Sequence, residues 1–167
     1  MAERAAIVTG GSRGIGLALA EVLADEGYGI TVTARKPETL EQAANALRSR
    51  GAEVEQVAAN LTDEESVSAV VAHHRETFGR LDASSTTPAW ASAPRSTSTR
   101  ASPSTCSSRR ILPRVVDTDM SAFVNASIPA EEMLRTSDVA EALRFPLRLS
   151  PTCVIPEIVF QRPGEVI

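Results

Sequence analysis

Apolar and polar positions alternate in blocks along the first 82 residues. Residues 5–9, "AAIVT", form a short apolar run that ends at a glycine cluster, as a parallel strand buried on both faces does. Over residues 14–25, Ile15, Leu19, Val22 and Leu23 recur at helical spacing and Gly27 supplies the stop. Residues 30–34 read as a second strand, with Tyr28 placed before it in a turn between two glycines. Residues 37–50 read as a helix that opens on Pro37, turns Leu40, Ala44 and Leu47 to one face, and stops at Gly51. Residues 53–58 read as a third strand. Thr62 with Glu65 predicts a capping box for a helix running to about Phe78. The order β-α-β-α-β-α predicts an α/β fold with a parallel sheet and right-handed crossovers.

The pattern stops after Leu81 and Asp82. Residues 83–110 contain no Val, Ile, Leu, Met, Phe, Asp, Glu or Lys, and Ser and Thr make up half of them. Such a segment buries too little apolar surface to offset its ordering entropy, so it is expected to be irregular. Apolar character returns at Ile111. Residues 136–149 read as helical until Pro146 interrupts, and residues 153–160 as a last strand, placed at an edge or bulge by Pro156. The chain therefore divides into 1–82, a Ser/Thr/Pro/Arg-rich stretch over 83–110, and 111–167.

One stretch carries chemistry. "TGGSRGIG", residues 9–16, joins the first strand to the first helix, with glycines at 10, 14 and 16. Gly10 permits a tight turn. Gly14 and Gly16 remove side chains where a pyrophosphate and the sheet must approach. The helix that follows points free N–H groups and the positive end of its dipole at the phosphates.

Thr-Gly-x-x-x-Gly-Ile-Gly at this place resembles the short-chain dehydrogenase/reductase family, closely over 5–82 and more weakly from 111. The resemblance implies a Rossmann-like, doubly wound parallel sheet. It also implies an oxidoreductase that moves hydride between a nicotinamide cofactor and a carbonyl or alcohol. Gly10, Ser12, Arg13, Gly14, Ile15 and Gly16 are then expected to line the cofactor site. Members that use NAD(H) place an Asp at the end of the second strand, where this chain has Ala34 followed by Arg35. A guanidinium fork suits a 2′-phosphate, and Arg13 lies in the same cradle, so NADP(H) is favoured over NAD(H). Asn60 and Leu61 stand where the family contacts adenine, with Asn in place of the usual Asp. Within "PRVVDTDM", residues 113–120, Thr118 is expected at the nicotinamide end.

The family's proton-transfer residues are not found. They comprise a Ser, an Asn, and a Tyr and Lys four apart on one helix, where the cation lowers the phenol's pKa. Tyr28 and Lys36 are the sole Tyr and Lys, and no Tyr-x-x-x-Lys occurs. No catalytic residue is therefore assigned, and the alternative to an active oxidoreductase is an inactive NADP-binding remnant. The Asn-Asn-Ala-Gly expected after "GRLD" is absent too. Yet the codons of residues 85–90, read in the shifted frame, permit Asn-Asn-Ala-Gly-Val. An out-of-frame translation over 83 to about 110 accounts for this, together with loss of coding sequence, since only 24 residues separate Pro88 from Pro113. The rival is a native linker that binds a partner or accepts phosphate. Without its central and distal strands and catalytic helices the fold is incomplete. Strand one is then expected to lose its neighbours on one side, stability to be marginal, and an oligomer to be doubtful.

Other features narrow the classes. A net charge of −4 gives no case for nucleic acid or an anionic membrane, and the four arginines of 83–110 carry only Trp90 as an aromatic companion. No apolar stretch reaches membrane-spanning length and no leader-like pattern opens the sequence, so a cytoplasmic, reducing setting is expected. Cys106 and Cys153 have no metal-ligand spacing, and His73-His74 lacks further histidine partners. Asp63, Glu64 and Glu65 read as helix N-terminal charge.

Overall fold

A computed structural model of the chain describes residues 2–86, 110–112, 133–149 and 157–160. The elements run β1 (Arg4–Thr9), α1 (Gly14–Asp25), β2 (Tyr28–Ala34), α2 (Pro37–Ser49), β3 (Val54–Ala58), α3 (Glu64–Phe78), β4 (Ala83–Thr86), β5 (Arg110–Leu112), α4 (Thr136–Leu147) and β6 (Glu157–Val159). One sheet has the order β3-β2-β1-β4, and β5 pairs with β6; every pairing is parallel. The α/β reading and its parallel sheet hold.

Strand alternation sorts the sheet's two faces. Ala6, Val8, Tyr28, Ile30, Val32 and Val54 turn one way and pack with Ala20 and Leu23 of α1 and Leu40, Ala44 and Leu47 of α2. Gly29 and Thr31 turn the other way, toward Phe78 and His74 of α3. Leu23 is 1% exposed at the centre of the first layer. Leu23→Ala is expected to cost about 2–5 kcal/mol, the range for a buried leucine that leaves a cavity. A urea melt reads it, and a loss under about 1 kcal/mol would contradict this placement.

Helix α4 lies on α1. Val139 packs with Leu19, and Leu143 closes the same cluster. Arg144 reaches Asp25 and Glu26 at 3.4 Å, and Arg148 donates to Glu26 from Nε at 3.1 Å and Nη2 at 2.8 Å. Partly exposed pairs of this kind add little each, but they fix which face of α4 meets α1. Residues far apart in sequence thus share one layer.

Several expectations are corrected. Residues 83–86 are not irregular: they form β4, paired with β1 through Ala6–Ala83, Ile7–Ser84, Val8–Ser85 and Thr9–Thr86. Strand one therefore keeps a neighbour on both sides. Strand pairing uses backbone groups, so four small residues suffice once the preceding residue is anchored. Asp82 is that anchor. Its carboxylate accepts from the Ala5 N–H at 2.8 Å, and its own N–H donates to the Ala5 carbonyl at 2.8 Å. Arg80 grips the same carboxylate and holds it below the usual carboxylate range.

Tyr28 does not sit in a turn. It is the first residue of β2 and is buried, with the Arg4 guanidinium 4.3 Å above its ring and donating to its hydroxyl. The cap of α3 is Asp63 rather than Thr62: its carboxylate accepts from the Ser66 N–H at 3.0 Å, one residue later than the capping box required. Pro146 does not end α4 early but sits in its last turn, where a missing N–H removes at most one helical bond. The last strand is three residues long, Glu157–Val159, and 153–156 lie outside the described residues. No described helix is long and apolar enough to cross a membrane.

Candidate dinucleotide-binding site

Parallel strands bring their C-terminal ends to one edge, and the loops leaving β1, β2 and β3 converge there. The loop from β1 carries Gly10, Ser12, Arg13 and Gly14 into α1. Gly10 has φ 68° and Gly14 φ 56°, both in the left-handed region open to glycine. Gly16 needs to be glycine for a different reason. A Cβ there would lie 2.2 Å from the Gly10 carbonyl oxygen and 2.7 Å from its carbon, so the helix rests directly on the loop backbone. Ile15 is half-buried beside the Leu19–Val139 cluster, which seats the first turn.

The N-terminus of α1 is left open. No side chain caps it, its first turn holds no acidic residue, and its first backbone bond runs from the Leu17 N–H to the Arg13 carbonyl at 3.3 Å. The other described helices each place an acid in their first turn: Glu38 in α2, Glu64 and Glu65 in α3, Asp138 in α4. Only α1, among these, presents bare N–H groups with no competing carboxylate, an arrangement that suits an anion.

The neighbouring loops are stitched to this one. The Gly11 N–H donates to the Thr33 carbonyl at 3.2 Å, which ties the cradle to the end of β2 two residues before Arg35. The Ala59 N–H donates to the Ala34 carbonyl at 3.0 Å, which ties the exit of β3 to the same point. Arg35 follows there, exposed and with no ion pair to a described residue, and so does Lys36; Arg13 is exposed in the cradle itself. Asn60, also exposed, accepts from the Thr62 N–H at 3.4 Å through Oδ1, and its amide N–H₂ group is chemically able to donate. Leu61 beside it is half-buried.

The structure thus brings Gly10, Ser12, Arg13, Gly14, Ile15, Gly16, Arg35, Asn60 and Leu61 to one sheet edge. Thr118 lies outside the described residues. Two residues that the sequence reading passed over belong to the frame of the site. Gly11 is buried, and a Cβ on it would meet the Val32 side chain at 3.2 Å. Its place as the second glycine of "TGGS" was the available signal. Thr86, the last residue of β4, stands in register with Thr9 at the entrance to the cradle. Among the described residues, no group of His, Cys, Asp and Glu could hold a metal ion.

The backbone amides of the loop and α1 fit a pyrophosphate, since the glycine cradle is where a Cβ would fill space and the helix end is uncapped. The cations at 13, 35 and 36 give that edge a positive rim with no acid among the residues named.

Comparisons with known proteins agree with this geometry. Residues 4–127 match the family model described as short chain dehydrogenase. An A-factor type gamma-butyrolactone 1'-reductase (1S-forming) from Streptomyces virginiae is 41% identical over 83 residues, which is 50% of this chain and 32% of that protein. A 3-oxoacyl-[acyl-carrier-protein] reductase FabG from Staphylococcus aureus is 36% identical over 80 residues, 47% of this chain and 32% of its own length. The chain therefore spans about a third of the length of these curated relatives. A solved structure of a betaketoacyl-[ACP] reductase (FabG) from Bacteroides thetaiotaomicron superposes with a TM-score of 0.78 at 19% identity, covering 98% of each chain, a likeness of fold. The parallel sheet, the glycine cradle between β1 and α1, and the family match over 4–127 together place this chain in the short-chain dehydrogenase family of oxidoreductases, whose cofactor is a nicotinamide adenine dinucleotide.

Proposed function

We propose that the chain binds NADP(H) at the edge formed by the β1, β2 and β3 loops and serves an oxidoreductase that moves hydride between that cofactor and a small carbonyl or alcohol, in a cytoplasmic setting. The observation that carries the reading is the uncapped N-terminus of α1 above a loop that a side chain at Gly16 would block. The amides of this loop hold the pyrophosphate. Arg35, with Arg13 and Lys36 near it, holds the 2′-phosphate by charge-assisted hydrogen bonds. Asn60 offers its amide to the adenine edge. When bound, the nicotinamide supplies or accepts the hydride.

A second reading, binding without turnover, has a specific observation in its favour. The sequence holds no Tyr-x-x-x-Lys. Loss of a positioned proton donor alone costs about 10²–10⁴ in rate. One experiment separates the two: titrate the purified chain with NADPH and NADH, then follow NADPH oxidation with a panel of ketones and aldehydes. Binding with turnover supports the oxidoreductase. Binding without turnover supports the second reading. No binding to either dinucleotide removes both.

A further inference from the structure

We propose that His74 is a proton-operated latch that fastens α3 and the turn into β4 against the sheet, and that acidification releases this side of the fold while the β1–α1–β2 cradle stays formed. The imidazole is 2% exposed and bonded at both nitrogens. Nε2 lies 2.9 Å from the Arg80 carbonyl, which can only accept, so Nε2 carries the hydrogen. Nδ1 then accepts from the Thr31 hydroxyl at 2.7 Å. One neutral ring therefore joins three parts of the chain: α3, which bears it; the middle of β2; and the turn whose next residues lead to Asp82. The ring also packs against Phe78, tilted at 47° with centroids 5.2 Å apart, and the edge of Phe78 occupies the space left by Gly29, where a Cβ would meet Phe78 Cε1 at 2.4 Å.

The surroundings decide the sign. On α3 the adjacent His73 is paired with Glu55 of β3, the residue in register with Thr31. From the turn, Asp82 faces His74 but is held by Arg80 and by the Ala5 N–H of β1. Thr31 and Gly29 of β2 and Phe78 bring no charge. Among the described residues no free carboxylate is directed at the ring, so a charged imidazole would be buried with little to offset it. Burial accordingly holds His74 below the usual imidazole value. A second proton at Nδ1 would also oblige the Thr31 hydroxyl to turn its hydrogen away and accept instead. With the folded value depressed, the unfolded form binds more protons, so the latch is intact above about pH 6.5 and weakens as pH falls below that value toward the folded one.

The release has a defined path. His74's acceptor is the Arg80 carbonyl, two residues before Asp82, and Asp82 is the clamp that pairs β4 with β1. Thr86, at the end of β4, stands against Thr9 at the entrance to the glycine loop. Opening the latch therefore loosens what borders the cradle on its β4 side.

The test is amide hydrogen exchange on the full chain at pH 7.5 and pH 5.5, corrected for the intrinsic pH dependence of exchange. In the wild type, amides of residues 70–86 are expected to lose up to about tenfold in protection one unit below the ordinary imidazole value, while those of β2, which pairs with β1 and β3, keep theirs. In His74→Gln, whose neutral amide can accept from Thr31 and donate to Arg80, the difference is expected to vanish. Equal loss in β2, a flat wild type, or the same fall in the variant would overturn the proposal. If the variant does not fold, the imidazole resonances of the wild type decide. A neutral Nε2–H tautomer titrating below about pH 6.5 supports the latch, and an ordinary titration overturns it.

Discussion

Replacing Gly16 by alanine is expected to weaken dinucleotide binding severely while leaving most of the sheet folded. The added Cβ would lie 2.2 Å from the Gly10 carbonyl oxygen, 2.7 Å from its carbon and 3.2 Å from the Gly11 nitrogen. All three are backbone atoms, so no side chain can swing aside. Either the helix or the loop must move. The helix is fixed by Leu19, Val22 and Leu23, all buried, and by α4 across it. Among the described residues the loop is held by the left-handed turns at Gly10 and Gly14 and by the Gly11–Thr33 bond, with no large buried side chain of its own. The loop therefore gives way, and the amides that cradle phosphate lose their common aim. Two charge-assisted bonds lost at about 1.5–3 kcal/mol each correspond to a weakening of roughly 10²–10⁴ in affinity for NADPH. Calorimetric titration measures the affinity, and far-ultraviolet circular dichroism checks that the sheet persists. Gly11→Ala is the milder control, because its Cβ meets the Val32 side chain at 3.2 Å and a few tenths of an ångström relieve it. A Gly16→Ala chain that binds as the wild type does would show that the loop plays no part.

Arg35→Asp is expected to reverse the cofactor preference. Arg35 follows Ala34 at the end of β2, exposed and without an ion pair to a described residue, so its guanidinium is available to a ligand. A fork bonded to a 2′-phosphate is worth about 1.5–3 kcal/mol, and an aspartate in its place adds like-charge repulsion. NADPH should weaken by about 10² or more. NADH, which brings ribose hydroxyls in place of phosphate, should weaken little or gain. The wild-type preference should also shrink as salt rises, since the group is exposed and screened. Paired titrations with both dinucleotides read the ratio. An unchanged ratio would remove Arg35 from the site and move the phosphate contact to Arg13 or Lys36.

Much of the fold was legible because the N-terminal half announces itself locally. The spacing of Ile15, Leu19, Val22 and Leu23, closed by Gly27, gave α1 its ends, and Pro37 and Gly51 bracketed α2 in the same way. The strand–glycine loop–helix geometry of the cradle was legible for the same reason. What was missed depends on partners far away in the chain. β4 is held by its backbone and by Asp82, whose partner Ala5 is 77 residues distant, so a search for apolar side chains could not find it. Tyr28 looked like a turn residue from its glycine neighbours, but its burial is decided by Arg4 and the α1–α2 layer. His74 was legible only as a histidine without metal partners; its burial and its bond to Thr31 are set by how α3 packs on β2. The cap of α3 moved by one residue because two adjacent side chains could each serve, and only the local backbone chooses between them.

The measurement that bears most directly on the account is a calorimetric titration of the purified, full-length chain with NADPH and, separately, NADH at low salt. Saturable one-to-one binding is expected for both, tighter for NADPH, with the difference falling as salt is raised. Failure of both dinucleotides to bind a chain shown to be folded would contradict the claim that the β1–α1 loop is a phosphate cradle.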